Sequence, residues 1–403
     1  MKSVLLRLAG FTGLPLLSVA TPFLLLPVLA RIAGEGGWSS ILTGQAVGAF
    51  GATAIVWGWN TVGPIQVAQN PDARFRAELY RESLRTRLAL CVLVFPIVSL
   101  LAWVLAAPDI RLEAAAMSWT SLVAGLSPAW FCIGLGRPTL LATFDTVPKV
   151  IATLAATPII LITREIWLYA LILLLAVIVS LLVFHRVVVP EGKATLTSWA
   201  GTAPTLRRQL GPAAISLSGN TYAATPVPIA QTFLPNVSAA GFGSADAVYR
   251  LGLFSVIALG NTFQGWTLEV ESSNARRRQI LAIGAHAALG VVGAAFLALL
   301  GPLTTEILYG APVKAAAGTC LFFGISFLFI SASSPFMRNL LIPFGGQRLI
   351  LVWTLISAVF GLGWMIFAGF HRWTDGIAMG MALSEGILFL GVLWPGLRRL
   401  RDL

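Results

Sequence analysis

The residues best able to do chemistry in this chain are charged side chains set inside apolar runs. Asp246 and Arg250 stand four apart, so a helix would place them on one face. A charge at membrane depth costs about 2.5–3.5 kcal/mol on insertion scales, so it pairs or lines a wet cavity. The pair therefore reads either as a cation facing a cavity, held by its carboxylate, or as a self-neutralising pair buried for packing. Asp145 and Lys149 repeat the spacing near the end of a run, where a Lys can snorkel to the interface. Glu385 lies midway along an apolar run with no obvious local partner. It reads as a proton or cation site, or as a protonated carboxyl bonded to a neighbouring helix. Arg31 closes the first apolar run, as an interfacial Arg or a ligand contact. Asn220, Tyr222, Thr225 and Gln231 make one run unusually polar, and Asn60, Asn261 and Gln264 add hydrogen-bonding groups to two others. Such groups suit sugar hydroxyls and lipid headgroups, and equally serve interhelical hydrogen bonds.

Other chemistries find no constellation. His185, His286 and His371 are scattered, and Cys91, Cys132 and Cys320 all lie inside apolar runs. No CxxC or Cys/His spacing points to a metal site, a disulfide framework or a cofactor. Asn236-Val237-Ser238 spells a glycosylation acceptor in a short loop near the membrane, which we read as chance.

The elements that must position these residues follow from composition. Of 403 residues, 57% are hydrophobic and 11% charged, with mean hydropathy +0.85. Soluble domains carry roughly 25% charge. This excludes a soluble enzyme and a disordered chain, and predicts an all-α polytopic membrane protein. About twelve transmembrane helices fit, at about 9–30, 40–62, 87–107, 114–136, 143–163, 166–184, 209–234, 242–266, 279–300, 317–336, 349–370 and 376–396. These spans leave only short loops, so no extramembrane catalytic domain fits and a non-enzyme is expected. The net charge of +11 is explained by topology rather than nucleic acid. With both termini in the cytoplasm, Lys and Arg concentrate on that side, leaving Arg31, Arg111, Arg164, Lys314 and Arg372 outside and Arg250 within a span. Trp38, Trp57, Trp59, Trp103, Trp167, Trp266, Trp373 and Trp394 fall near expected helix ends, where an indole prefers the interface. The basic run Arg74–Arg87 reads as a positive cytoplasmic loop, or as an amphipathic helix at the headgroups. Gly44/Gly48 and Gly376/Gly380 have the spacing for close helix contact.

The longest connection, about 185–208, separates two groups of six spans and predicts domains at 1–190 and 200–403. Faint parallels link the halves. Pro27-Val-Leu leads to Gly37-Trp38, and Pro228-Ile-Ala to Gly241-Phe242. Ser127-Pro128 precedes Arg137, and Ser334-Pro335 precedes Arg348. Pro15, Pro22 and Pro27 in the first span, and Pro212, Pro226, Pro228 and Pro235 around the seventh, predict bent helices leading each half.

In this order the motifs resemble a family. Pro27-Val-Leu-Ala-Arg31-Ile-Ala-Gly-Glu-Gly-Gly-Trp38, Leu126-Ser-Pro-Ala-Trp130-Phe-Cys-Ile-Gly-Leu-Gly-Arg-Pro138 and Ala240-Gly-Phe-Gly-Ser-Ala-Asp246-Ala-Val-Tyr-Arg250 are similar to helix signatures of bacterial polysaccharide (O-antigen type) flippases. These belong to the multidrug/oligosaccharidyl-lipid/polysaccharide exporter superfamily. The resemblance implies two six-helix bundles around a central cavity, in the bacterial cytoplasmic (inner) membrane. It implies translocation of an undecaprenyl-pyrophosphate-linked oligosaccharide to the outer leaflet, in polysaccharide or lipopolysaccharide biosynthesis. Its partners would be the lipid-linked oligosaccharide, the lipid bilayer and a glycan polymerase or glycosyltransferase complex, with no nucleic acid. A pyrophosphate calls for Arg with its bidentate fork, which Arg250 and Arg31 supply, with Asp246 as the resting partner. Asn220, Tyr222, Gln231 and Asn261 suit the sugar, and Glu385 ion coupling. A drug or cation antiporter of the same superfamily is the alternative. The absence of a carboxylate in spans one and two counts against it. A membrane glycan polymerase or ligase ranks lower, because the outer loops are short.

Overall fold

The computed structural model describes residues 2–188, 201–267 and 275–402. Among them there is no β-strand, and ten helical stretches are long and apolar enough to cross a membrane. The connection around 189–200 with Lys193, and the side chains of Lys2, Arg7, Gln264 and Trp266, lie outside the described residues.

The chain divides into two compact units. Unit 1 comprises Met1–Ile32 and Ser40–Asn220, and unit 2 comprises Ala33–Ser39 and Thr221–Leu403. In unit 1 the elements are most of α1 (Lys2–Val56), α2 (Trp59–Gln69), α3 (Ala73–Leu105), α4 (Arg111–Leu122), α5 (Ala129–Gly134), α6 (Pro138–Leu141), α7 (Val147–Thr163), α8 (Trp167–Val188) and α9 (Thr202–Arg208). α10 (Leu210–Ala224) carries the chain from unit 1 into unit 2. Unit 2 then holds α11 (Pro226–Phe233), α12 (Asn236–Thr267), α13 (Ala275–Tyr309), α14 (Ala317–Pro335), α15 (Gln347–Phe370) and α16 (Thr374–Arg401).

Every expected apolar run falls mainly on helix, but the punctuation differs in several places, the Ser127-Pro128 break inside 114–136 among them. The second run breaks at Trp57–Gly58 (φ 45 and 83), and the first two runs are helices, numbered together as α1, that meet at a kink at Gly34 (φ 63, ψ −171), while helical dihedrals persist through Pro15, Pro22 and Pro27. Only a residue without Cβ adopts that backbone readily. The seventh run is interrupted at Thr225, because Pro226 and Pro228 lack the N–H groups that would bond Tyr222 and Ala224. Two further runs contain π-helical turns, Ala142–Thr146 and Phe336–Leu341.

Close packing in unit 1 depends on the Gly44/Gly48 pair. A Cβ at Gly44 would lie 2.1 Å from the Ala114 carbonyl oxygen, and one at Gly48 2.0 Å from that of Ser118. The backbones of α1 and α4 therefore touch over a full turn.

Several expectations are corrected by burial. The basic run Arg74–Arg87 is neither a loop nor a separate surface helix. It forms the first turns of α3, capped by Asp72, which accepts from the Arg74 and Phe75 amides. Trp38 and Trp59 are fully buried within the protein rather than interfacial. Trp59 donates to Thr86 Oγ1 at 3.0 Å and packs 5.4 Å from Trp130. Trp103, Trp373 and Trp394 are exposed.

Candidate functional site

The polar groups of unit 2 are brought together around the break between α10 and α11. Pro226 leaves the Tyr222 carbonyl without a helical donor, and the Thr225 hydroxyl supplies one at 3.1 Å. Ala223 lies in the last turn of α10, where carbonyls lack helical partners. Arg250 of α12 fills that need, donating through Nη2 to the Ala223 oxygen at 2.7 Å. The same guanidinium donates through Nε to Asp246 Oδ2 at 2.5 Å. The i,i+4 pair is thus formed, and its fork reaches beyond its own helix. Asp246 is buried, while about a third of the Arg250 side chain remains exposed.

Beside this pair lies the carboxyl of Glu385, fully buried on α16. The Tyr222 hydroxyl faces it as a donor. Tyr249, one residue before Arg250, lies within electrostatic reach of both Glu385 and Asp246. Asp246 Oδ1, the Tyr249 hydroxyl and Glu385 Oε1 are all buried with no hydrogen-bond partner among the described residues. Buried polar oxygens are seldom left so, and a proton, water or cation satisfies such groups. Among the described residues no three His, Cys, Asp or Glu side chains gather as a metal site.

Trp38 follows the Gly34 break, donates to Ser244 Oγ at 2.9 Å and packs 5.3 Å from Tyr309, which lies within electrostatic reach of Asp246.

The remaining candidates sit elsewhere. Arg31 is exposed in unit 1. Asn220, also in unit 1, donates to Thr53 Oγ1 at 2.6 Å. Gln231 is half-buried on α11. Asn261 lies on α12 three turns beyond Arg250, about 16 Å along the same face. It accepts at 2.5 Å from Arg338, which sits in the π-helical turn after Pro335. Arg338 falls just beyond the expected span 317–336, and the helical path continues through Phe344. Its guanidinium lies against Gly260, where a Cβ would come within 2.4 Å of Nη1.

Sequence reasoning also missed Arg87. This fully buried cation donates to the carbonyls of Ser127 at 2.8 Å and Gly125 at 3.3 Å, under the face of Trp130 at 5.9 Å. Ser127 in turn donates to Asp145 Oδ1 at 2.5 Å, and Lys149 approaches the same oxygen at 2.9 Å. The signal was present in the Ser127-Pro128 dipeptide, which interrupts a helix and frees carbonyls.

No known family profile and no curated protein matches the sequence. Solved structures do match. A multidrug resistance MATE family transporter of the MOP superfamily, inward-facing, is 17% identical and superposes with TM-score 0.65 over 96% of this chain and 98% of its own. The lipid II flippase MurJ, in an inward closed conformation, is 12% identical with TM-score 0.65 over 96% and 90%. A MOP superfamily transporter from Pyrococcus furiosus is 13% identical with TM-score 0.54 over 98% and 96%. The chain is an all-helical, multi-pass membrane protein with the fold of MOP-superfamily transporters.

Proposed function

We infer that the protein is a transporter that flips a lipid-linked oligosaccharide, carried on undecaprenyl pyrophosphate, from the cytoplasmic to the outer leaflet by alternating access. Its setting would be the bacterial inner membrane, with both termini cytoplasmic. The observation that carries this reading is the Arg250 fork, midway along a helix long and apolar enough to span a membrane and held by one carboxylate and one helix-end carbonyl. A planar guanidinium so placed can exchange both partners for two phosphate oxygens in the same bidentate geometry. The likeness to a lipid flippase and to drug transporters supports transport by this fold.

The buried oxygens of Glu385, Tyr249 and Asp246 provide a coupling element next to that fork. Protonation or cation occupancy there would alter the charge that Asp246 presents to Arg250, linking ion and substrate. The Arg338–Asn261 pair, three turns along α12, offers a second polar contact for the headgroup. A glycan polymerase or glycosyltransferase would consume or supply the substrate. The test is the pool of lipid-linked sugars in a deletion strain. Accumulation of an undecaprenyl-pyrophosphate oligosaccharide, cleared by the wild-type gene and not by an Arg250→Gln variant, supports the reading. An unchanged pool would sink it.

A further inference from the structure

One end of unit 2 carries a cavity that the Arg250 cluster does not use. It has a volume of about 530 Å³, inside the roughly 300–1,000 Å³ range of small-molecule sites. The N-terminal turns of α12 and the connections before α14 and before α16 meet in it, represented by Ser238, Lys314 and Arg372. With both termini in the cytoplasm, all three fall on the outer face. We propose that this cavity binds an acidic sugar, one bearing a carboxylate, on the outer face of the membrane. The identity of the glycan as transported cargo rests on the flippase reading, whereas the chemistry of the cavity does not.

Four observations carry the proposal. First, two cations line the cavity against one carboxylate, and the carboxylate is already engaged. Asp375 lies against Gly318 and accepts from Thr319 Oγ1 at 2.6 Å. Lys314 has a partner in Glu306 at 2.8 Å, but both side chains are well exposed, so the pair is screened and readily exchanged. Arg372 is exposed and enters no ion pair among the described residues.

Second, Arg372 has φ 52 at the C-terminal end of α15, a left-handed position where glycine is the usual residue. A side chain carried there against backbone cost and also lining the cavity, as Arg164 does not, points to use of the side chain.

Third, Trp373 also lines the cavity and is 43% exposed, packed edge-on to Trp364 at 6.2 Å. The C–H face of a pyranose packs on such a ring, and a simple inorganic anion does not need one. Fourth, Thr374 and Ser238 add hydroxyls for sugar oxygens.

The test uses the full chain in nanodiscs, with tetragalacturonate as the acidic probe, maltotetraose as the neutral one and inorganic phosphate as the plain anion, read by calorimetry. The acidic probe should bind more tightly than either control. Arg372→Gly should hold or raise the thermal midpoint, because glycine relieves the left-handed residue, yet weaken tetragalacturonate by about tenfold to a hundredfold. Arg164→Gly is the control. Arg164 has φ 62 at the end of α7 in unit 1, so the same backbone relief should leave binding unchanged. Lys314→Gln gives an independent reading should Arg372→Gly fold poorly, and should also weaken the acidic probe. Trp373→Ala should weaken it too. Wild-type affinity in folded Arg372→Gly and Lys314→Gln, or equal binding of maltotetraose or of phosphate, would overturn the proposal. Lipid-linked oligosaccharide transport is assayed separately, so failure of the flippase reading and failure of this site give different results.

Discussion

The Arg250 guanidinium donates to the carbonyl of Ala223 at 2.7 Å, across from α12 to the end of α10. An i,i+4 ion pair would have needed only Asp246. The second bond makes Arg250 a cap for the broken helix as well as half of a charge pair. A truncation to Ala therefore confounds two roles. Arg250→Gln with Asp246→Asn removes both charges and keeps amide donors for the carbonyl. If the pair serves substrate phosphate, this double variant should reach the membrane at normal abundance and fail to complement a deletion strain. Full complementation would reduce the pair to packing.

Glu385 is the second point of test. Its carboxyl is buried, with Tyr222 facing it and Oε1 unpartnered. Glu385→Gln preserves shape but carries neither a titratable proton nor the negative charge that would hold a cation. Transport should fall at unchanged membrane abundance, and its dependence on external pH or sodium should flatten. Retention of full transport across pH would make the residue structural.

Arg87 should matter to stability rather than to transport chemistry. It is 1% exposed and supports the carbonyls of Gly125 and Ser127, which the Ser127-Pro128 break leaves without helical donors. Arg87→Leu should cost about 3–5 kcal/mol, because the carbonyls are stranded and a well-fitted buried group is lost. The thermal midpoint of the detergent-solubilised protein is the measurement. A wild-type midpoint would contradict this account.

The α1–α4 contact predicts a sharp size limit. A Cβ at Gly48 would lie 2.0 Å from the Ser118 oxygen, so Gly48→Ala requires the two backbones to separate. A destabilisation of about 1–3 kcal/mol is expected. Gly363, on α15, has nothing within 4 Å of its would-be Cβ, and Gly363→Ala should be neutral or slightly stabilising. Equal melting of the two variants would show that the contact is not limiting.

The topology is open to a reporter. With Lys and Arg concentrated on one side, a fluorescent protein fused after residue 403 should fold in the cytoplasm, and alkaline phosphatase at the same point should stay inactive. The opposite result would invert the orientation and move the acidic-sugar cavity to the cytoplasmic face.

The sequence alone determined the helical class, the places where apolar runs lie and the Asp246–Arg250 pair. Hydropathy is additive over a run, and an i,i+4 contact depends only on helix geometry, so neither needs tertiary information. Gly44 and Gly48 were legible as a close-contact motif for the same reason, though not their partners Ala114 and Ser118. The tertiary structure alone decided which face of each helix is buried. A helix in lipid is apolar on its lipid face and its protein face alike, so periodicity carries little of that information. Trp38 and Trp59 thus looked interfacial by position but fill the interior. Arg87 looked like a topogenic charge but serves carbonyls at the break between α4 and α5. The approach of Tyr222 to Glu385 and of Arg250 to Ala223 joins residues distant in the chain, through a bend whose direction the prolines permit and the surrounding helices set.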